Sequence, residues 1–270
     1  MVTEIIAGPL GEIRSVATAD GGTSVNTTAS FIQFFPGTYY LEMIPRNFST
    51  AVVLKYALSP FLVILRTQDD LATVTDASNN AQDHDTATSV TLSSQDTAAN
   101  GDYLFVGANI PFRGVDIDVD STNSSASVLT VKYWDGSAWT SITATDGTAS
   151  GGASLAQDGQ VTWTVPTAWT RASLETINSP APGGAVALRR VELYWTRWEW
   201  SAALDSSVTL DHMLAMNRST SYAELPRGVS KEMRVQTFSP EGIGCLEVVT
   251  DAGTLNLIVN VATQRQSQFV

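Results

Sequence analysis

Val-Asp-Ile-Asp-Val-Asp at 115–120 opens the stretch of sequence that decides the fold. Three more segments follow: Val-Leu-Thr-Val-Lys-Tyr-Trp at 128–134, Val-Thr-Trp-Thr-Val at 161–165 and Val-Glu-Leu-Tyr-Trp-Thr-Arg-Trp-Glu-Trp at 191–200. Apolar and polar residues alternate in each segment with a period near two, which is the pattern of a strand with one buried face. The stretch from Val115 to Leu204 is therefore predicted to form strands of a sheet structure.

Turn signals separate these segments and indicate the class of fold. Dipeptides that supply the positive φ of hairpin turns recur at Asp135-Gly136, Asp146-Gly147, Gly151-Gly152 and Asp158-Gly159. Strands about ten residues apart with such turns between them are typical of a sandwich or a jelly roll. Residues 169–177, which follow a proline, are the part of this stretch that could form a helical turn. The sequence predicts an all-β protein.

Two flanking segments differ in composition from the Trp-rich stretch. Residues 39–67 and 208–270 have apolar strand patterns and contain no tryptophan. The polar residues 72–88, which lie between the first of these segments and the Trp-rich stretch, are predicted to be a linker between two β units. The sequence therefore predicts two domains. Residues 1–85 and 206–270 form a β domain built from the N- and C-terminal segments, with an N-terminal arm. Residues 86–205 form a Trp-rich, jelly-roll-like β-sandwich inserted into it.

The composition excludes several classes of protein. The formal net charge is −12 and the 15 basic residues are scattered, so no nucleic-acid partner is expected. The most apolar run, 51–65, is interrupted by Lys55, Ser59 and Pro60, so no membrane insertion is expected. One cysteine, and an N-terminal sequence without the pattern of a signal peptide, predict folding in a cytoplasm without disulfides.

Residues suited to catalysis are few. His84 lies in the polar segment and is predicted to be solvated, whereas His212 lies on an apolar strand face and is predicted to be satisfied in a core or interface. Cys245 has no basic neighbour in sequence and is predicted to be a small buried residue. No nucleophile–base motif, phosphate-binding loop or zinc ligand set can be recognised. The sequence predicts a non-enzymatic protein with no catalytic residues.

A row of carboxylates is the candidate metal site. Asp116, Asp118 and Asp120 alternate with apolar residues, so the three side chains share one face of a strand. A solvated acidic face is one interpretation, and a structural Ca²⁺ completed by a neighbouring loop is the other. A pair of glycosidase carboxylates is a third, weaker alternative, because nothing in the sequence marks one of them as a proton donor. No other cofactor is predicted.

The tryptophans are the candidate binding residues. All 7 lie between Trp134 and Trp200, and Trp163 shares the parity of its neighbouring valines, which predicts a core position. In 191–200 the apolar residues occupy both faces, with Tyr194, Trp198 and Trp200 opposite Leu193 and Trp195. A two-layer sandwich buries one face of each sheet, so Tyr194, Trp198 and Trp200 are predicted to need a partner outside the module. Subunit interface, contact with the other β domain and sugar platform are the alternatives.

The motifs of the stretch resemble a module of tailed-bacteriophage virion proteins. The resemblance is carried by Tyr-Trp-Asp-Gly-Ser-Ala-Trp at 133–139, Asp-Gly-Thr at 146–148, Gly-Gln-Val-Thr-Trp-Thr-Val-Pro at 159–166, Leu-Tyr-Trp-Thr-Arg at 193–197 and Ser-Ala-Ala-Leu at 201–204. It covers about residues 90–205. In that family the module is a jelly-roll-like sandwich, similar to galactose-binding-like domains, and occurs in head, neck, tail and baseplate components.

The resemblance implies a function and partners. The chain is expected to be a structural component of a virion, such as a head-decoration, neck or tail/baseplate accessory protein, assembled in the host cytoplasm. Its partners would be other virion proteins and copies of itself, and the family implies no catalytic residues. The alternative is a carbohydrate-binding module that recognises a host-surface glycan through Trp198 and Trp200. An enzyme acting on polysaccharide is the third hypothesis.

Overall fold

The structure is a computed structural model that describes residues 11–15, 22–34, 37–48, 52–83, 85, 87–93, 95, 100–178, 186–237 and 239–264. Strands joined in antiparallel sheets dominate it, so the prediction of an all-β protein is confirmed. The two helices found among these residues are five and four residues long. No helix within the described ranges has the length and hydropathy needed to cross a bilayer.

The elements follow one another in this order. The strands are β1 (Gly11–Ser15), β2 (Thr23–Val25), β3 (Ser30–Gln33), β4 (Thr38–Arg46), β5 (Leu54–Pro60), β6 (Val63–Thr67), β7 (Val74–Asp76), β8 (Val90–Thr91), β9 (Tyr103–Ala108), β10 (Gly114–Asp118), β11 (Leu129–Trp134), β12 (Trp139–Ser141), β13 (Ala144–Asp146), β14 (Gly159–Trp163), β15 (Arg171–Ala172), β16 (Leu193–Trp200), β17 (Thr209–Leu210), β18 (His212–Met216), β19 (Ala223–Leu225), β20 (Lys231–Arg234), β21 (Ile243–Thr250) and β22 (Leu255–Gln264). The helices are α1 (Leu174–Asn178) and α2 (Val186–Arg189).

The chain divides into two compact units. Unit 1 contains the described residues up to Ser59 and those from Ser219 onward, and unit 2 runs from Pro60 to Arg218. Unit 1 has two sheets with the strand orders β1-β22-β4-β20, where β2 also pairs with β22, and β19-β5-β21-β3. Each of β1 to β5 therefore pairs with strands that come after residue 218. The alternating side chains of both sheets form one core, which includes Leu41, Leu54, Leu246, Val248, Leu257 and Val259.

Unit 2 is a sandwich of a larger and a smaller sheet. The larger sheet has the order β12-β11-β16-β9-β6-β7, with β15 also on β16, and the smaller has the order β13-β14-β10-β18. The chain crosses from one sheet to the other after β9, β10, β12 and β14, and again after β16 by way of β17, which pairs with β8. The core between the two sheets includes Ile64, Val106, Val115, Val161, Trp163, Trp198 and Met213.

The larger sheet is also covered on its outer face. Leu193 and Trp195 of β16 form a second apolar cluster there with Leu174 of α1, and Leu188 of α2 packs against it. The region 169–177, predicted to contain a helical turn, contains β15 and most of α1. This third layer explains why the apolar residues of 191–200 occupy both faces of their strand.

The domain boundaries differ from the predicted ones. The sequence assigns 60–85 and 206–218 to the domain of the terminal segments, whereas the structure places the described residues of both ranges in unit 2. The reason is strand pairing. Strand β6 lies between β9 and β7, and β18 pairs with β10. The described residues of the predicted N-terminal arm include the paired strands β1, β2 and β3, and residues 1–10 and 16–21 lie outside the described ranges.

The predicted linker at 72–88 is also part of the sandwich over its described residues. It contains β7, and Ala81 and Gln82 are fully buried. Ser78 is buried too, and its hydroxyl accepts a hydrogen bond from Ile64 N at 2.9 Å. The prediction was wrong here because polar side chains usually mark a solvated linker. In this segment they are buried instead, and they form hydrogen bonds with backbone groups that a neighbouring strand would otherwise form. His84, predicted to be solvated, lies outside the described residues.

Candidate functional site

Trp198 and Trp200 lie in the core of unit 2. Their exposed fractions are 1% and 3%. The Trp198 ring meets Trp163 edge-to-face with the centroids 6.3 Å apart. Its indole N–H donates to Thr196 Oγ1 at 2.9 Å, and that hydroxyl donates to Val106 O at 2.9 Å. The prediction that Trp198 and Trp200 need a partner outside the module is therefore wrong.

Tyr194 shares the inner face with these tryptophans. It is half-buried and meets Trp169 edge-to-face, with the centroids 6.0 Å apart. The sequence separates the two faces of β16 correctly but assigns the wrong one to the core. Trp195, on the other face, is fully buried under the third layer. The signal that could have revealed this cover is the pair of short apolar segments around Leu174 and Leu188.

A different set of aromatic rings is partly accessible, on the outer face of the larger sheet. Trp134 and Trp139 are register partners in β11 and β12, and their half-buried rings are 5.6 Å apart between centroids. The Arg197 guanidinium lies 4.4 Å from the centroid of the Tyr103 ring and 5.1 Å from that of Trp139. A cation at this distance over an aromatic face is attracted by the ring quadrupole. Arg197 therefore occupies part of the aromatic surface that a sugar ring would need.

A charged network continues this surface. The Glu199 carboxylate is 2.8 Å from Lys132 Nζ and 2.6 Å from Arg197 Nη2. The exposed side-chain fractions are 9% for Glu199, 14% for Arg197 and 24% for Lys132, so the network is mostly shielded from water. It ties β11 to β16, since Lys132 is the register partner of Arg197. Sequence analysis missed this group because Lys132 reaches Glu199 and Arg197 only through the pairing of β11 with β16.

Of the three aspartates of the candidate Ca²⁺ site, two lie near His212 and one bonds a threonine. Asp116 Oδ2 lies 3.3 Å from His212 Nε2, and Asp118 Oδ2 lies 3.9 Å from His212 Nδ1. Asp120 Oδ2 accepts a hydrogen bond from Thr209 Oγ1 at 2.9 Å. Among the described residues, the ligand atoms close enough together to share an ion include one from Asp118 but none from Asp116 or Asp120, so the candidate set of three aspartates is corrected.

The residues that could hold a metal ion are Asp118, Asp211 and His212. One ligand atom from each lies within 4.8 Å of the other two, and this is the metal-capable group found among the described residues. Burial raises the pKa of Asp118, His212 lowers it, and the neighbouring carboxylates of Asp158, Asp211 and Asp116 raise it further. His212, predicted to be a satisfied histidine, is half-buried between these carboxylates. The strand pairing of β10 with β18 creates the group, so the sequence spacing does not reveal it.

Cys245 is fully buried in β21 of unit 1, as predicted for a small apolar residue. His212 belongs to unit 2 and contacts carboxylates.

Comparisons with known proteins add no family. No protein-family model matches the chain. No curated protein and no solved structure matches it. The interpretation of the sites therefore depends on their geometry and on the motifs in the sequence.

Proposed function

We propose that the chain is a non-enzymatic structural component of a tailed-phage particle, which assembles through contacts of its β domains. The observation that carries the proposal is the position, within unit 2, of the motifs that resemble the virion-protein module. Residues 133–139 form the hairpin between β11 and β12, 159–166 contain β14, and 193–197 lie in β16. Each motif thus supplies a strand or a turn of one sandwich.

The buried tryptophans in and beside these motifs support a structural role. Trp163, Trp169, Trp195 and Trp198 are buried, and several of them donate their indole N–H to groups of the same unit. Trp163 Nε1 donates to Phe112 O at 2.9 Å, and Trp169 Nε1 donates to Trp195 O at 3.0 Å. A buried aromatic ring with a satisfied N–H stabilises a sandwich and offers no surface to a ligand.

Detection of the chain in particles tests the proposal. Particles from a culture that produces the protein would be purified on a density gradient, and the chain would be quantified in the particle band by peptide mass spectrometry. A fixed copy number relative to the other particle proteins is expected. A chain that stays in the soluble fraction while intact particles band without it would overturn the proposal.

The carbohydrate-binding alternative now depends on other residues. The half-buried rings of Trp134 and Trp139, which lie 5.6 Å apart between centroids, form a partly accessible aromatic surface that favours it. Binding on a glycan array that is lost in Trp134→Ala, with the melting temperature unchanged in a parallel measurement, would support this alternative. An array without signal would count against it, and the variants Trp198→Ala and Trp200→Ala are unsuitable because those rings are core residues.

A further inference from the structure

The outermost strand of one sheet of unit 1 is short, charged and accessible. Strand β20 ends the order β1-β22-β4-β20 and, among the described strands, pairs with β4 alone. Lys231, Glu232 and Arg234 are exposed, and Met233 is half-buried against the core. An outermost strand presents backbone N–H and C=O groups that can pair with another chain.

The hydrogen bonds to β4 show which backbone groups of β20 face outward. Val235 N, just after the strand, donates to Tyr39 O at 2.9 Å. Hydrogen-bonded and non-hydrogen-bonded pairs alternate along an antiparallel ladder. Lys231 and Met233 therefore direct their N–H and C=O groups toward β4, and Glu232 and Arg234 direct theirs away from it. The outward groups belong to one acidic and one basic residue.

We infer that two copies of this chain pair through β20, antiparallel and related by a two-fold axis, with Glu232 of each copy opposite Arg234 of the other. A two-fold axis makes the contact isologous, so each residue pair occurs twice. Only residues with outward backbone groups can form the hydrogen-bonded pairs of the new ladder. The two strands can therefore shift relative to each other only by two residues at a time.

Charge selects one register among those that remain. With Met233 opposite its own copy, Glu232 faces Arg234 in both halves of the contact. A shift of one strand by two residues in one direction places Glu232 opposite Glu232 of the other copy. The same shift in the other direction places Arg234 opposite Arg234. Opposite charges across a strand pair stabilise the pair, and like charges destabilise it. The sequence Lys-Glu-Met-Arg of β20 is therefore self-complementary in a single register.

The surface beside β20 leaves room for the side chains of a second copy. An open groove of about 460 Å³ is lined by Tyr39, Tyr40, Glu232, Met233 and Arg234. Tyr39 is 40% exposed. The contact is small compared with a stable dimer interface, which buries more than about 1,000 Å². The expected association is therefore weak between free chains and stronger where a particle holds several copies together.

Charge reversal tests the register directly. Sedimentation velocity over a concentration series would compare the unchanged chain with Glu232→Arg, Arg234→Glu and the double variant. Each single variant places like charges opposite each other twice and should weaken self-association about tenfold or more. The double variant restores opposite charges and should associate like the unchanged chain. Glu224→Arg, the same charge change at an exposed residue of β19, is the matched control and should have no effect.

The outcomes separate this inference from the proposed function. Melting curves of all variants confirm that unit 1 remains folded, since the altered side chains are exposed. A chain that stays monomeric at every concentration overturns the inference, as does a double variant no better than the single ones. The inference deepens the proposed function by naming a contact between copies. A chain that pairs through β20 but is missing from purified particles would leave this contact standing and overturn only the proposed function.

Discussion

Gln82 and Leu62 form a closed pair of hydrogen bonds in unit 2. Gln82 Oε1 accepts from Leu62 N at 2.7 Å, and Gln82 Nε2 donates to Leu62 O at 2.6 Å. The same Nε2 donates to Ser78 O at 2.8 Å. Both Gln82 and Leu62 are fully buried. The side-chain amide thus does what a neighbouring strand would do, and it joins the segment 77–83 to the residue that precedes β6.

Gln82→Leu should destabilise unit 2 strongly. The substitution leaves the N–H and C=O groups of Leu62 buried without partners, at a cost of about 1–3 kcal/mol per group, or roughly 2–6 kcal/mol in all. Urea unfolding would measure the change. Gln157→Leu is the matched control, because Gln157 Nε2 donates to Gly147 O at 3.0 Å from an exposed position. The control should change the free energy of unfolding by less than about 0.5 kcal/mol. Equal effects of the two variants would contradict the prediction.

Trp198→Ala should reduce stability by about 3–5 kcal/mol, the usual cost of removing a large aromatic side chain from a core. The physical reason is the loss of packing against Trp163 and Val131, together with the loss of the hydrogen bond that the Thr196 hydroxyl accepts from the indole. Trp134→Ala, at a half-buried ring, should cost clearly less in the same thermal unfolding measurement. If Trp198→Ala left the midpoint unchanged, the ring would be a surface residue and its assignment to the core would be wrong.

Asp205 should make stability depend on acid pH. Its carboxylate accepts hydrogen bonds from the Ser124 hydroxyl and backbone N–H and from the Ser125 hydroxyl, and these lower the pKa of Asp205 to about 2 from 3.8. Because the pKa is depressed in the folded state, the stabilisation is present above pH 3.8 and is lost as the pH falls toward 2. Asp205→Asn should remove this contribution, so the difference in melting temperature between the two proteins should shrink over that window.

An NMR titration of the Asp205 carboxyl carbon provides the direct measurement. Ser125→Ala removes one donor and should raise the pKa of Asp205 toward its ordinary value. A pKa of Asp205 near 4 in the unchanged protein, or one that does not respond to Ser125→Ala, would contradict the prediction.

Gly107→Ala should destabilise the larger sheet by about 1–3 kcal/mol, the usual cost of forcing extra atoms into a packed site. Gly107 is the register partner of Trp195, and a β-carbon at Gly107 would lie 2.7 Å from Cζ3 and 2.8 Å from Cδ2 of that indole. Trp195→Phe should relieve the overlap, so Gly107→Ala combined with Trp195→Phe should cost less than the sum of the two single changes. Strict additivity in thermal unfolding would show that the ring does not lie over this glycine.

The sequence correctly predicted a turn and a core residue whose signals lie within a few neighbouring residues. The Asp135-Gly136 turn joins β11 to β12 as expected, with a positive φ at Gly136 and the Asp135 carboxylate accepting from Ser137 N at 2.8 Å. Trp163, assigned to the core from its parity with neighbouring valines, is 6% exposed, so that prediction is confirmed. Alternation along a strand identifies which side chains share a face, and it does so without reference to the rest of the chain.

Features that depend on distant partners could not be predicted in the same way. Parity along β16 does not say which face is the core, because Leu174 and Leu188 cover the second face from outside the strand. The approach of His212 to Asp116 follows from a pairing between strands 96 residues apart in sequence. Gln82 looks like a linker residue because its role depends on Leu62. In each case the missing information was the strand order of the sheets.

The pairing of unit 1 has a consequence for the order in which the chain folds during synthesis. Its strands β1 to β5 pair with strands that follow residue 218, whereas unit 2 has all its strands once residue 216 has been made. A ribosome adds about 5–20 residues per second, so the 159 residues of unit 2 delay the partners of β5 by roughly 10–30 seconds. During that time the apolar faces of β4 and β5 lack their partner strands, and unit 2 can fold first. Strand β20 is synthesised after unit 2 and can pair with β4 only then. The proposed self-association through β20 is therefore postponed until the synthesis of unit 2 is complete.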